Sequence, residues 1–431
     1  MEYFFQQATE LSFHENVAIR RSVVHSLEII QLPTMFAFID RAINCFVEVA
    51  EKESDDQVLS CLIKATYNLC LTGNGPQTDK SVEIIKSILS KGQDHTLHVA
   101  SEFFGYELKK LPEKILDVLL PLLLNVNPKH AGTLSSLGYG IAALLKRDDP
   151  TKGIEFLENL LLKHHGELTI ESLDISHSIH DQKGHHLLNK LMTRWLLNGN
   201  PVLCNSISSI LNAIYTDDLQ LEIDTAEISS EDSASYLFIA RKAIGFLFLK
   251  PVTCASIILS LMNNSLDKDL VNDLGALLFD PILLNFSGKP YDFLKEGKDN
   301  LLEPSKCAVQ KVIDATDDYL DTLISMPDIA EMSPSQEQRE AKIRRRNRLM
   351  AESYKNAKKE SIMNSICSES MLLYGNKSIM HIRDSSEKSN RVEIPMQCHG
   401  VSFEVPRQAE IDPLGLDYTL YVFRNERLAS R

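Results

Sequence analysis

The chain has 431 residues, more than one ordinary compact domain, so its length admits two domains or one extended repeat array. Its composition, 44% hydrophobic and 24% charged, is that of a folded chain rather than a disordered one. A formal net charge of −14 disfavours nonspecific attachment to nucleic acid or anionic membrane, unless positive charge is concentrated locally.

No window approaches the roughly 18 to 20 uninterrupted apolar residues of a membrane span; LDVLLPLLLNV, 116–126, is short and holds Pro121. The start, MEYFFQQATELSF, lacks the basic flank and apolar run of a secretory signal. It also lacks a clear polar cap, which leaves room for a longer natural array. The eight cysteines are scattered with no CxxC pair, so reduced buried thiols in the cytoplasm are the simplest expectation, with no membrane insertion.

From residue 1 to about 285, apolar residues recur at helical spacing. Within that stretch the frame i, i+4, i+7, i+11 is filled by Ile19, Val23, Ser26 and Ile30, then by Val58, Leu62, Ala65 and Leu69. It returns as Leu97, Ser101, Phe104 and Leu108, and as Leu134, Gly138, Ile141 and Leu145. The frames start 39, 39 and 37 residues apart, with second helices such as KSVEIIKSILSKG and EKILDVLLPLLL between them. Any amphipathic helix fits such a frame somewhere; the near-constant spacing is what predicts one helical hairpin per repeat. Asn16, Asp55 or Asp56, and Asp94 are candidate helix caps, and Pro33, Pro112, Pro128, Pro150 and Pro201 fall between helices.

A two-helix repeat near 40 residues resembles the HEAT and armadillo class of α-solenoids, with HENVAIRRSVVHSLEII and ESDDQVLSCLIKATYNL as the best copies. The resemblance covers roughly residues 10–285 and implies architecture rather than activity. Less regular copies follow: Leu203, Ile207, Ile210, Ile214; Tyr236, Ala240, Ala243, Leu247; Leu270, Leu274, Leu277, Pro281. Between two of them DDLQLEIDTAEISSED, 217–232, carries seven acids and no base and reads as a solvated loop.

The expected domains are therefore a solenoid of about seven hairpins over 1–285, a connector and capping helix over 286–340, and a C-terminal module over 341–431. In the connector, GKPYDFLKEGKDN is rich in Gly, Pro and Lys, and PSKCAVQKVIDATDDYLDTLISM reads as an amphipathic helix. Ser333 or Ser335 is placed to cap the next helix. The module opens with a basic amphipathic helix: Lys342, Arg344, Arg345, Arg346, Arg348, Lys355, Lys358 and Lys359 face one acid, Glu352, with Ile343, Met350, Tyr354 and Ala357 as a thin apolar stripe. That helix could dock by its stripe, lay its basic face on an acidic part of the solenoid, or bind phosphates or an acidic protein. LLYGNKSIMHIR and RVEIPMQCHGVSFEVP suggest a small β-hairpin, and DPLGLDYTLYVFRNERL a last helix starting at Asp412 and Pro413. The fold class expected is thus mainly α, a HEAT-like solenoid with a small α+β C-terminal module.

Signatures of nucleotide folds, nucleophile elbows, zincins and EF-hands are absent. GYGIAALL contains only GxG, inside a repeat helix, where the glycines permit close packing. The stretch HSIHDQKGHH puts His177 and His180 on one helical face with Asp181 after them, a candidate metal set. The His-Asp pair is similar to the central dyad of the HD phosphohydrolases, a family that also needs a separate upstream His and a distant Asp. One repeat beyond Leu134 the frame reaches Leu173, His177 and His180, which places both imidazoles on the inward face. His185 and His186 then begin the following helix. With no catalytic set and no cofactor signature, the expected function is a noncatalytic scaffold or adaptor that binds a protein partner through the solenoid surface and the C-terminal module. Nucleic-acid binding through the basic helix and a metal-dependent enzyme at His177 and His180 are the alternatives.

Overall fold

The computed structural model describes residues 2–28, 39–72, 75–180, 185–214, 218–228, 233–327, 333–360, 377–383, 389–395 and 404–428. In chain order the helices are α1 (Glu2–Leu11), α2 (Val17–Glu28), α3 (Ile39–Lys52), α4 (Asp56–Thr72), α5 (Gly75–Lys91), α6 (Asp94–Tyr106), α7 (Glu113–Leu123), α8 (Ala131–Leu145) and α9 (Thr151–Lys163). They continue as α10 (Ile170–Leu173), α11 (Ser176–His180), α12 (His186–Asn198), α13 (Pro201–Ala213), α14 (Ser233–Leu247), α15 (Pro251–Asn263), α16 (Lys268–Leu277), α17 (Lys289–Gly297), α18 (Ser305–Ser325) and α19 (Gln336–Glu360). Strands β1 (Lys377–Arg383) and β2 (Ser389–Pro395) precede α20 (Gln408–Ile411) and α21 (Pro413–Asn425). Contacts divide the chain into two units: 1–316 together with 405–431, and 317–404.

The first unit is a helical-hairpin solenoid. Helix α2 packs on α4, α4 on α6 and α6 on α8, while α1 packs on α3, α3 on α5 and α5 on α7. Each helix therefore meets its counterpart in the next repeat, the one-dimensional stacking of repeat proteins. The frames starting at Val58, Leu97, Leu134, Leu203 and Tyr236 are buried at all four positions, so the periodicity marks the core face as expected. Polar bonds repeat with the same stride: Arg20 to Glu53, Lys114 to Asp79, Arg147 to Glu113 and Arg194 to Glu158 join residues 33 to 36 apart.

Glycines set how closely the repeats approach. A Cβ on Gly138 would collide with the Leu173 carbonyl oxygen, and one on Gly140 with the Phe104 ring, so α8 contacts its neighbours on both sides only because these residues lack side chains. This is the packing role expected for GYGIAALL.

In the last frame Leu270, Leu274 and Pro281 are buried and Leu277 half-buried, and two other frames depart further from expectation. In α2 the buried residues are Val24 and Leu27, whereas Val23 is half-buried and Ser26 exposed. Adjacent valines make two frames one residue apart equally helical, and packing against α4 selects the second. In the fifth copy there is no three-turn helix. Thr169 and Ser172 form a reciprocal capping box that starts α10, and Asp174 ends it after one turn with φ 53 in the left-handed region. Helix α11 then restarts with Ser176 and Ile179 inward, which turns His177 out to solvent and leaves His180 half-buried.

Caps follow a similar pattern. Asn16 and Asp55 accept from the first amides of α2 and α4, as expected. Asp94 does not cap α6, because Asp56 of the preceding repeat does so: its carboxylate accepts from the amides of Gln93, His95 and Thr96 and from the Thr96 hydroxyl at 2.6 Å. Burial raises the Asp56 pKa, but the Thr96 hydroxyl and the three amides outweigh it and hold the carboxyl below its usual range.

The solenoid also extends past 285. Residues read as a connector form α17, with Pro290 in its first turn and Leu294 fully buried, and α18 follows as expected. The acidic stretch is not simply solvated: Leu221, Ile223 and Ile228 are buried, Asp218 pairs with Lys289, and Glu227 with Lys190 and Arg194. Five cysteines among the described residues are free thiols, Cys45, Cys204 and Cys254 being buried.

The second unit holds the outer part of α18, α19 and an antiparallel hairpin in which Lys377 pairs with Pro395 and Arg383 with Ser389. Ser335 caps α19 through a reciprocal pair with Gln338. The expected α+β module over 341–431 is not formed as one body. Its last segment, 405–431, belongs to the solenoid unit, because α21 buries Leu416 and Leu420 against α14.

Candidate interaction site

Helix α21 begins as its sequence dictates: the Asp412 carboxylate accepts from the Gly415 amide, and Pro413 occupies the first helical position, where no amide hydrogen is needed. The approach to it is fixed by Asn285, whose side chain accepts from the Gln408 amide and donates to the Gln408 side chain, and by Arg407 donating to the Ser287 hydroxyl. Both partners come from more than 110 residues earlier in the chain.

The far end of α21 meets two cations of α14. Arg241 forms a two-pronged pair with Glu426 at 2.7 and 2.6 Å. Lys242 is 0% exposed, and its Nζ donates to the Arg424 carbonyl at 2.6 Å. That carbonyl is one of the orphans at a helix C-terminus, where the helix dipole is negative, so a buried ammonium is well matched to it. Burial pushes the Lys242 pKa down, opposed by Cys204 and Glu426. Gly245 completes the fit: the Arg424 amide lies only 3.1 Å from where a Cβ would stand, and Arg424 donates back to the Gly245 carbonyl.

With its inner face occupied, α21 is still apolar outside. Leu414, Tyr418 and Tyr421 recur at helical spacing on the opposite side from Leu416 and Leu420, and are 80%, 70% and 63% exposed. Beside the helix lies a groove of about 760 Å³, lined among others by Asn205, Ser208 and Asn212 of α13 and by Phe246, Leu249 and Arg424. The sequence pointed to the C-terminal module as a contact surface but to none of these residues. The signal was present: PLGLDYTLYVFRN is apolar on both faces, and a helix apolar all round has two surfaces to cover.

The expected binding residues lie in the second unit, on α19. Every described position from Ser333 to Asn356 is exposed, including Ile343, Met350 and Tyr354. Lys342, Arg344, Arg345, Arg346, Arg348 and Lys355 therefore line an open helix; Lys358 and Lys359 lie on its last turn. Arg344 pairs with Glu340 at 3.4 Å, whereas Arg345, Arg346, Arg348 and Lys355 have no ion pair among the described residues.

The two histidines expected on the inward face are not both there. His177 is exposed, the His180 ring lies tilted against that of His185 with centroids 5.0 Å apart, and Asp181 lies outside the described residues. Among the described residues no three His, Cys, Asp or Glu side chains are grouped as a metal ion requires. His185 and His186 do open α12, as the sequence predicts. No helix among the described residues is long and apolar enough to cross a membrane. Compared with protein-family models, curated proteins and solved structures, the chain finds no match.

Proposed function

We propose that this chain is a scaffold or adaptor that binds a protein partner, with α21 on the solenoid surface as the contact element. One observation carries this reading: the exposed row Leu414, Tyr418 and Tyr421 on a helix whose other face is already anchored. Contiguous exposed apolar surface rich in tyrosine is the composition of protein interfaces rather than of ordinary solvated surface. Anchoring by Arg241, Lys242 and Asn285 holds the row rigid, so little ordering entropy opposes association. The free buried thiols fit a reducing, cytoplasmic setting.

Affinity capture with the full chain, run beside the Leu414→Glu, Tyr418→Glu double variant, tests the reading. Loss of specific partners by the variant at unchanged thermal stability is expected, since both side chains face solvent. An identical partner set would remove α21 as the contact element.

A further inference from the structure

Helix α19 carries a site of a different kind. Between Lys342 and Lys359 there are eight basic residues and one acid, in a chain whose overall charge is −14. Such a reversal, concentrated on one exposed helix, is not needed to fold the second unit, because the described part of α19 buries none of its residues. Arg345, Arg346, Arg348 and Lys355 are spent on no ion pair among the described residues. Leaving four cations unpaired and close together costs mutual repulsion, which an anionic partner would relieve.

The arrangement around the helix distinguishes among anionic partners. At about 100° per residue, Arg344, Lys355, Arg348, Arg345, Lys342 and Arg346 follow one another over an arc of about 200°. Glu352 and Leu349 also fall within that arc, and Ile343, Met350 and Tyr354 form a stripe near the middle of the remaining arc of about 160°. A flat anionic bilayer, contacted through that stripe, would reach Lys342, Arg346 and Arg344 at its flanks while Arg345, Arg348 and Lys355 pointed into water. A groove with a row of phosphates on each wall reaches cations on both flanks at once. The major groove of B-form DNA is about 12 Å wide and admits an α-helix, whereas that of A-form RNA is too narrow. From Lys342 to Lys355 the basic arc is about 20 Å long, a little over half of a duplex turn of about 34 Å.

We propose that α19 is a binding element for B-form duplex DNA, lying in the major groove with its arginines and lysines on the phosphates of both strands. This site is separate from the protein contact on α21 and stands or falls independently of it. The contacts are to backbone, so the binding is not specific to sequence and is steeply dependent on salt.

The test is fluorescence anisotropy of a labelled 24-base-pair duplex titrated with the full chain between 50 and 200 mM salt. Six contacting cations set a slope of log K against log salt of about −5, a loss on the order of a thousandfold across that range. The Arg345→Glu, Arg346→Glu, Arg348→Glu variant should bind at least about a hundredfold more weakly at 50 mM, with the slope flattened by about three. These side chains are exposed, and circular dichroism of the variant checks that the fold is kept. A neutral Ile343→Asn, Met350→Gln variant should bind the duplex within about twofold of the parent, because the stripe faces away from the phosphates and the charge is unchanged. Absence of duplex binding at 50 mM salt, or an unchanged slope after charge reversal, would overturn the proposal. So would equal affinity for duplex RNA or single strands, or binding confined to phosphatidylserine vesicles and lost in the stripe variant.

Discussion

Helices α8 and α19 obey the same local rules and have opposite fates. Both are long and free of internal proline, yet α8 is buried on most of its circumference and every described residue of α19 is exposed. In α8, Gly138 and Gly140 give up helix propensity so that two neighbouring repeats can approach. In α19, the Ser335 and Gln338 cap and the Glu340 to Arg344 pair hold a helix that packs on nothing described. A solenoid helix is defined by its neighbours, and α19 by its own sequence; residues that stabilise the one are therefore unimportant in the other. Helix α21 sorts with α8, although it lies beyond α19 in the chain.

That contrast can be broken most severely at Lys242. Replacing it with Glu sets a buried carboxylate against the C-terminal carbonyls of α21, an uncompensated charge costing about 3–5 kcal/mol. Chemical denaturation should show that loss, and limited proteolysis should cut within 405–428 before the solenoid. Gly138→Val comes next: the new side chain must displace the Leu173 carbonyl, for about 2–3 kcal/mol, read as a lower thermal midpoint.

Asp56→Ala removes a cap shared between repeats and should cost about 1–2 kcal/mol. The pH dependence has a definite sign. Asp56 titrates below its ordinary range in the folded chain, so its stabilisation is complete above the unfolded value near about 3.9 and is lost as pH falls through the lower folded value. The variant should therefore lose less stability than the parent on acidification through that window. Ile343→Asp on α19 is the smallest effect expected, within about 0.5 kcal/mol, since the side chain is already in water.

The sequence was legible where repeats are regular. Between Val58 and Leu145 a spacing near 39 residues located the buried face, because neighbouring repeats impose the same register on each helix. It was misleading at Leu173, where the one-turn helix is set by Thr169, Ser172 and a left-handed Asp174, local events that a long-period frame passes over. Asp56 was readable as a cap, though not as the cap of the following repeat. The docking of α21 was hidden for a different reason. Arg241 and Glu426 are 185 residues apart, and nothing in either local pattern names the other. The exposed basic arc on α19 was legible as charge; only the structure showed that its apolar stripe stays open to solvent.

Residue-level hydrogen exchange on the full chain tests most directly whether α21 belongs with the solenoid while α19 stands on its own caps. Amides of 416–425 should be protected to the same degree as those of α14, and amides of 340–356 should exchange orders of magnitude faster. Exchange of α21 as fast as that of α19, or protection of α19 equal to that of α14, would contradict this division of the molecule.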